Sequence, residues 1–168
     1  MRSLYLLSVA VHLLAAAWWI GGLLFLATGV VPVIRRPFFQ AVSAEFMRQV
    51  GLQFRRLGWI ALGLLVLSGL VNLLGRGVTP DRLLQPAFWS GPFGRALAGK
   101  LAAVALIFLF NALHDFWAGP RATQAMAADP GDREARRWRA CASVLARLTL
   151  LASLGALFFA IVLVRGWP

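Results

Sequence analysis

Four stretches of this sequence exclude charge almost completely. Residues 3–34 and 57–75 contain no Asp, Glu, Lys or Arg, residues 96–114 contain only Lys100, and residues 140–164 contain only Arg147. About 20 apolar residues in a helix cross a hydrocarbon core of ~30 Å. Inside that core every backbone N–H and C=O must be satisfied within the protein, so such stretches fold as helices. Of the 168 residues, 60% are hydrophobic and only 14% are charged, against about 25% charged in a soluble domain. The chain is expected to be all-α, a polytopic transmembrane four-helix bundle forming a single membrane domain over residues 1–168. Its helices are expected at about 4–31, 57–75, 96–117 and 140–165. An ordinary soluble enzyme is excluded.

The first apolar run exceeds the 7–15 residues of a signal-peptide core, and Trp18-Trp19 stand where small cleavage-site residues belong. It reads as a retained helix. The net charge of +11 is divided among short loops, with no basic stripe interleaved with exposed aromatics, so no nucleic acid is expected as partner. Arginine placement sets the orientation. Arg35, Arg36, Arg48, Arg55 and Arg56 fall in the first loop, and Arg121, Arg133, Arg136, Arg137 and Arg139 in the third. The second loop has Arg76, Arg82 and Arg95, and the termini have Arg2 and Arg165. Loops one and three are therefore expected in the cytoplasm and both termini outside, in a bacterial-type inner membrane. Trp59, Trp117, Trp138 and Trp167 are expected at helix ends, as in an aromatic belt.

Between the first two runs, Phe39, Val42, Phe46 and Val50 recur at spacings of three and four, with Gln40, Arg48 and Gln49 between them. Segment 38–56 is thus an amphipathic helix, lying at the interface or extending helix two inward. Pro32 and Pro37 are expected to end helix one, Gly119-Pro120 helix three, and Asp129-Pro130-Gly131-Asp132 to turn into helix four.

Ionisable groups at membrane depth are costly and mark function by default. His12 lies about 12 Å, and Lys100 about 7 Å, from the outer ends of helices one and three at ~1.5 Å per residue. The two are expected to line one outward-facing cofactor site. Ser8, His12, Ala15, Ala16 and Trp19 share a face whose small residues admit a neighbouring helix or a flat macrocycle. The alternative for His12 is a hydrogen bond to Asn72 or Ser68 on helix two. His114 lies some 13 Å deeper than His12 by the same rise, so the two histidines mark separate candidate metal sites. Asp115 and Arg147 are expected to form a structural ion pair between helices three and four.

Copper(I) favours thiolate and thioether ligands. Met1, Met47 and Met126 lie outside the spans, and Cys141 is the lone cysteine. A soft-ligand copper conduit is excluded, whereas imidazole ligation of copper(II) or haem is not. No HExxH motif, phosphate-cradling loop or Ser-His-Asp arrangement is present, which removes hydrolytic chemistry.

The run from His12 through Trp18-Trp19-Ile20-Gly21-Gly22 resembles the opening helix of the copper-resistance D (CopD-like) membrane family. The stretch Phe54-Arg55-Arg56-Leu57-Gly58-Trp59 to Ser68-Gly69-Leu70-Val71-Asn72 looks like that family's second helix. Gly99-Lys100-Leu101 and Asn111 to Arg121 look like its third. The related HemJ-type protoporphyrinogen oxidases are similar in having a first-helix histidine and a third-helix lysine that serve haem binding. By position these are His12 and Lys100, although Val30-Val31-Pro32-Val33 departs from the polar sequence that follows in those oxidases.

The resulting expectation is a membrane protein holding haem b at His12, with Lys100 as second ligand or propionate partner and a redox role. One alternative is a copper-handling protein binding at His12 or His114. Another is a cofactor-free accessory or assembly subunit of a larger membrane complex.

Overall fold

A computed structural model describes residues 2–129 and 131–166. Met1, Pro130 and Trp167, for which positions in the spans, turn and aromatic belt were considered, lie outside the described residues. Four helices are long and apolar enough to cross a membrane, and the described residues contain no strand. Helix α1 runs Arg2–Phe25 and continues through a π-helical turn, Leu26–Val30, and a last α turn, Val31–Ile34. Helix α2 is Gln40–Gly75. Helix α3 starts as Pro92–Leu113, passes through a π-helical turn, His114–Ala118, and ends as Gly119–Ala128. Helix α4 is Arg133–Arg165. Large apolar side chains such as Leu14, Leu67, Leu109 and Leu151 are exposed, as lipid-facing positions must be.

The amphipathic segment is part of α2. The 36 residues of α2 amount to about 54 Å at ~1.5 Å per residue, well beyond a ~30 Å hydrocarbon core. Its first turns are helical because their charges pair locally. Arg48 donates to both carboxylate oxygens of Glu45, at 2.7 and 2.6 Å, and Gln49 donates to the same group at 2.8 Å. Spacings of three and four bring such side chains together on one helix face.

Pro37 follows the end of α1 at Ile34, as expected, but two other prolines do not stop their helices. Pro32 lies within α1 and Pro120 within α3, each two residues beyond a π-helical turn. Proline lacks an N–H and clashes with the carbonyl one turn back; a widened turn just before it relieves both problems. Gly119 completes the device in α3, since a Cβ there would lie 2.8 Å from the His114 carbonyl oxygen.

The chain divides into two compact units, Met1–Pro86 and Ala87–Pro168. In the first, α1 packs on α2 by fitting rings into glycine notches. A Cβ on Gly75 would come within 2.5 Å of the Tyr5 ring, one on Gly58 within 2.8 Å of Trp19, and one on Gly22 within 2.6 Å of Phe54. Trp19, only 2% exposed, stacks on Phe54 with ring centroids 5.9 Å apart. Small residues that admit close approach are what drives helix association in lipid, where burying leucine against leucine gains little over burying it in acyl chain.

The second unit pairs α3 with α4. Phe159 fills the notch at Gly99, where a Cβ would meet its ring at 2.5 Å. Near the connecting turn, Trp117 and Trp138 meet edge to face, 5.1 Å apart, and the Arg121 guanidinium lies 5.2 Å from the centroid of each. Asp132 caps α4 by accepting from the backbone N–H groups of Arg133 and Glu134. Thr149 and Ser153, both buried, donate to carbonyls one turn back on α4, so neither hydroxyl is orphaned.

The notches set a testable contrast. Gly58→Ala forces a methyl group against buried Trp19 and is expected to destabilise the protein by about 1–3 kcal/mol. Gly63→Ala, with nothing within 4 Å of its Cβ, is expected to be neutral or to stabilise by up to about 1 kcal/mol through helix propensity. Denaturation of detergent-solubilised protein by sodium dodecyl sulfate, followed by circular dichroism, measures both; equal midpoints would refute the notch argument.

Candidate functional site

Helix α1 places Ser8 and His12 one turn apart, and α2 places Ser68, Gly69 and Asn72 on the face they meet. The Ser8 hydroxyl donates to the Ser68 carbonyl at 3.1 Å. His12 Nδ1 lies 2.8 Å from Ser68 Oγ. A Cβ on Gly69 would stand 3.4 Å from His12 Cε1, an ordinary contact, so the imidazole lies alongside α2 at this glycine. Of the two partners considered for His12 on helix two, Ser68 stands within hydrogen-bond reach.

The proton arrangement follows from valence. A serine hydroxyl has one hydrogen, and Ser68 Oγ gives it to the Leu64 carbonyl one turn back. The oxygen must then accept from His12, so the Nδ1 of His12 carries a proton. In the neutral ring the lone pair consequently resides on Nε2. An imidazole whose Nδ1–H is fixed by a neighbouring oxygen is the usual form of a histidine ligand. Nearby on α2, Asn72 Oδ1 is buried and accepts no hydrogen bond. A buried acceptor left short of a donor is costly, above all at membrane depth, and it suits the O–H or N–H of a ligand.

The second unit has its own polar cluster. Asn111, buried on α3, donates from Nδ2 to Asp115 Oδ2 at 3.1 Å, and His114 Nδ1 lies 3.0 Å from Asp115 Oδ1. The Asp115 side chain is 9% exposed and that of His114 is 36% exposed. Lys100 is half-buried on α3, and Arg147 is exposed on α4. Thus the structure joins His114 to Asp115, and it gives Asp115 a partner, Asn111, that ion-pair reasoning passed over. The signal was available in the spacing of four between Asn111 and Asp115. Among the described residues no group of three or more His, Cys, Asp and Glu side chains is placed to hold a metal ion.

Residues 48–166 match the family described as Copper resistance protein D. The chain belongs to the copper resistance protein D family. It is also 32% identical, over 124 residues covering 73% of each chain, to a protein of Aquifex aeolicus (strain VF5) whose name says only that it is uncharacterized. No solved structure matches. The CopD match starts inside α2 and takes in Ser68, Asn72, Asn111, His114 and Asp115. It does not reach His12, whose helix carries part of the resemblance seen in the sequence. The match thus spans Ser68 and leaves His12 outside it.

Ser68→Ala removes the acceptor of the His12 Nδ1–H and is expected to cost about 1–3 kcal/mol. Ser68→Thr keeps the hydroxyl and is expected to lose much less. Unfolding midpoints in detergent test the energies, and ¹⁵N spectra of labelled histidine test the tautomer. A His12 ring unchanged in Ser68→Ala would show that Ser68 does not set it.

Proposed function

We propose that this chain is a copper-handling membrane protein that takes the ion as cargo through imidazole nitrogen, with His12 as a ligand. The observation that carries the reading is the match to the copper resistance protein D family over residues 48–166. The α1–α2 geometry supports it. Ser68 holds the Nδ1 proton of His12, and Asn72 offers a buried oxygen short of a donor. Nitrogen and oxygen donors suit copper(II), and thiolate and thioether donors suit copper(I). Met47, Met126 and Cys141 are far apart in sequence, and no cluster of ligands stands ready among the described residues. This donor set fits passage of the ion better than storage. The arginine bias of the loops orients the chain with loops one and three toward the cytoplasm and the termini outside.

The haem reading draws on the same imidazole. His12 would supply one axial nitrogen, with its Nδ1–H anchored as in other ligating histidines. The family description speaks for copper.

Expression of the chain in a copper-sensitive bacterial host, with cell copper measured by mass spectrometry, tests the proposal. Copper content is expected to change at least about twofold against the empty vector, and His12→Ala at equal membrane abundance is expected to abolish the change; tenfold looser handling corresponds to about 1.4 kcal/mol at the ion. Unchanged copper in cells with abundant protein would sink the copper reading. A Soret band with a sharp α-band on reduction of the purified protein would put haem in its place.

A further inference from the structure

Adjacent residues of an α-helix project about 100° apart and do not face one another. His114 and Asp115 are adjacent, yet their side chains meet at 3.0 Å. They do so at the start of the π-helical turn His114–Ala118, where the backbone is widened ahead of Pro120. The pair thus stands at the head of the widened turn that carries the helix past its proline.

The other contacts of Asp115 determine what the pair is. Asn111 Nδ2 is an N–H donor, and it occupies Oδ2. Asp115 Oδ1 is left to meet the imidazole at His114 Nδ1, and a carboxylate placed there takes the Nδ1 hydrogen of a ring whose Nε2 faces a metal. In the neutral ring Nε2 then holds the lone pair. The carboxylate sits inside at 9% exposure, and the ring it anchors reaches outward at 36%. A carboxylate behind an imidazole orients it and raises its basicity toward a metal.

We propose that His114 is a single-imidazole station for a first-row divalent cation, with Asp115 and Asn111 as its positioning residues and the π turn as the device that aligns them. The identity of the cation as copper rests on the reading of the chain as a copper handler; the site itself does not. Copper(II) binds most tightly in the usual divalent order. No third His, Cys, Asp or Glu joins the pair among the described residues, so the ion keeps water at its remaining positions. The station hands the ion on and does not store it.

The test titrates full-length protein in detergent with Cu²⁺ alone in a weakly coordinating buffer, with electron paramagnetic resonance as readout. Wild type is expected to show nitrogen-coupled Cu²⁺ signals, one component of which His114→Ala and His114→Gln remove and His12→Ala leaves in place. Asp115→Asn is expected to weaken binding by about tenfold to a hundredfold, the usual cost of losing an outer-shell partner, and Asn111→Ala by less. In metal-free protein, ¹⁵N histidine spectra are expected to show His114 protonated at Nδ1 in wild type and a tautomer mixture in Asp115→Asn. A Cu²⁺ signal untouched by either His114 variant, in protein of native circular dichroism, would overturn the station. Unchanged affinity and tautomer in Asp115→Asn would overturn the positioning role. Intact behaviour here, with no effect of the chain on cell copper, would leave the station standing and discard the copper-handling reading.

Discussion

Close approach of backbones at glycine holds the first helical pair together, and its candidate site depends on that approach. In lipid, α1 and α2 gain little by hiding leucine, and their exposed leucines show that they do not try. What they gain is contact between Tyr5 and Gly75, Phe54 and Gly22, Trp19 and Gly58, and His12 and Gly69. These four contacts run along the helix pair in register. The last of them is part of the site and the loosest of the four: a Cβ on Gly69 would meet the imidazole at 3.4 Å, an ordinary contact, and it is Ser68 that ties the ring to α2. Packing and chemistry are here one arrangement.

The polar groups obey a second constraint, that hydrogen atoms are few. Ser68 has one hydrogen and spends it on Leu64, which decides the proton position on His12. Asp115 has two oxygens, one meeting Asn111 Nδ2 and the other His114 Nδ1. Both histidines end with Nδ1 tied to an oxygen of their own unit. The oxygen belongs to a hydroxyl in one unit and to a carboxyl group in the other.

Much of this was legible in the sequence. Charge-free stretches of membrane length gave the four long helices, because cost of charge in hydrocarbon is a property of composition. His12 and Ser68 were visible as intramembrane polar residues on facing helices. Helix ends were less legible: segment 38–56 joined α2 because Glu45, Arg48 and Gln49 pair along it, and Pro120 did not stop α3. Proline signals a break only where the preceding turn is a plain α turn, and nothing in the residue types announces a π turn. The contact between His114 and Asp115 was hidden for the same reason, since their adjacency argued against it.

The π turns carry a further consequence, for how such a chain changes over generations. A π turn holds one residue more than the α turn it replaces, and that residue rotates everything beyond it by about 100° relative to an uninterrupted helix. A single-codon deletion in Leu26–Val30 or His114–Ala118 would shorten the protein trivially and still re-aim the whole end of the helix. Point substitutions in these segments, whatever they do to a side chain such as His114, keep the phase of the helix, whereas changes of length do not, unless a second length change nearby restores it. The two halves carry such a segment at matching places, each followed two residues later by proline, so the reading frame of the helix is guarded twice.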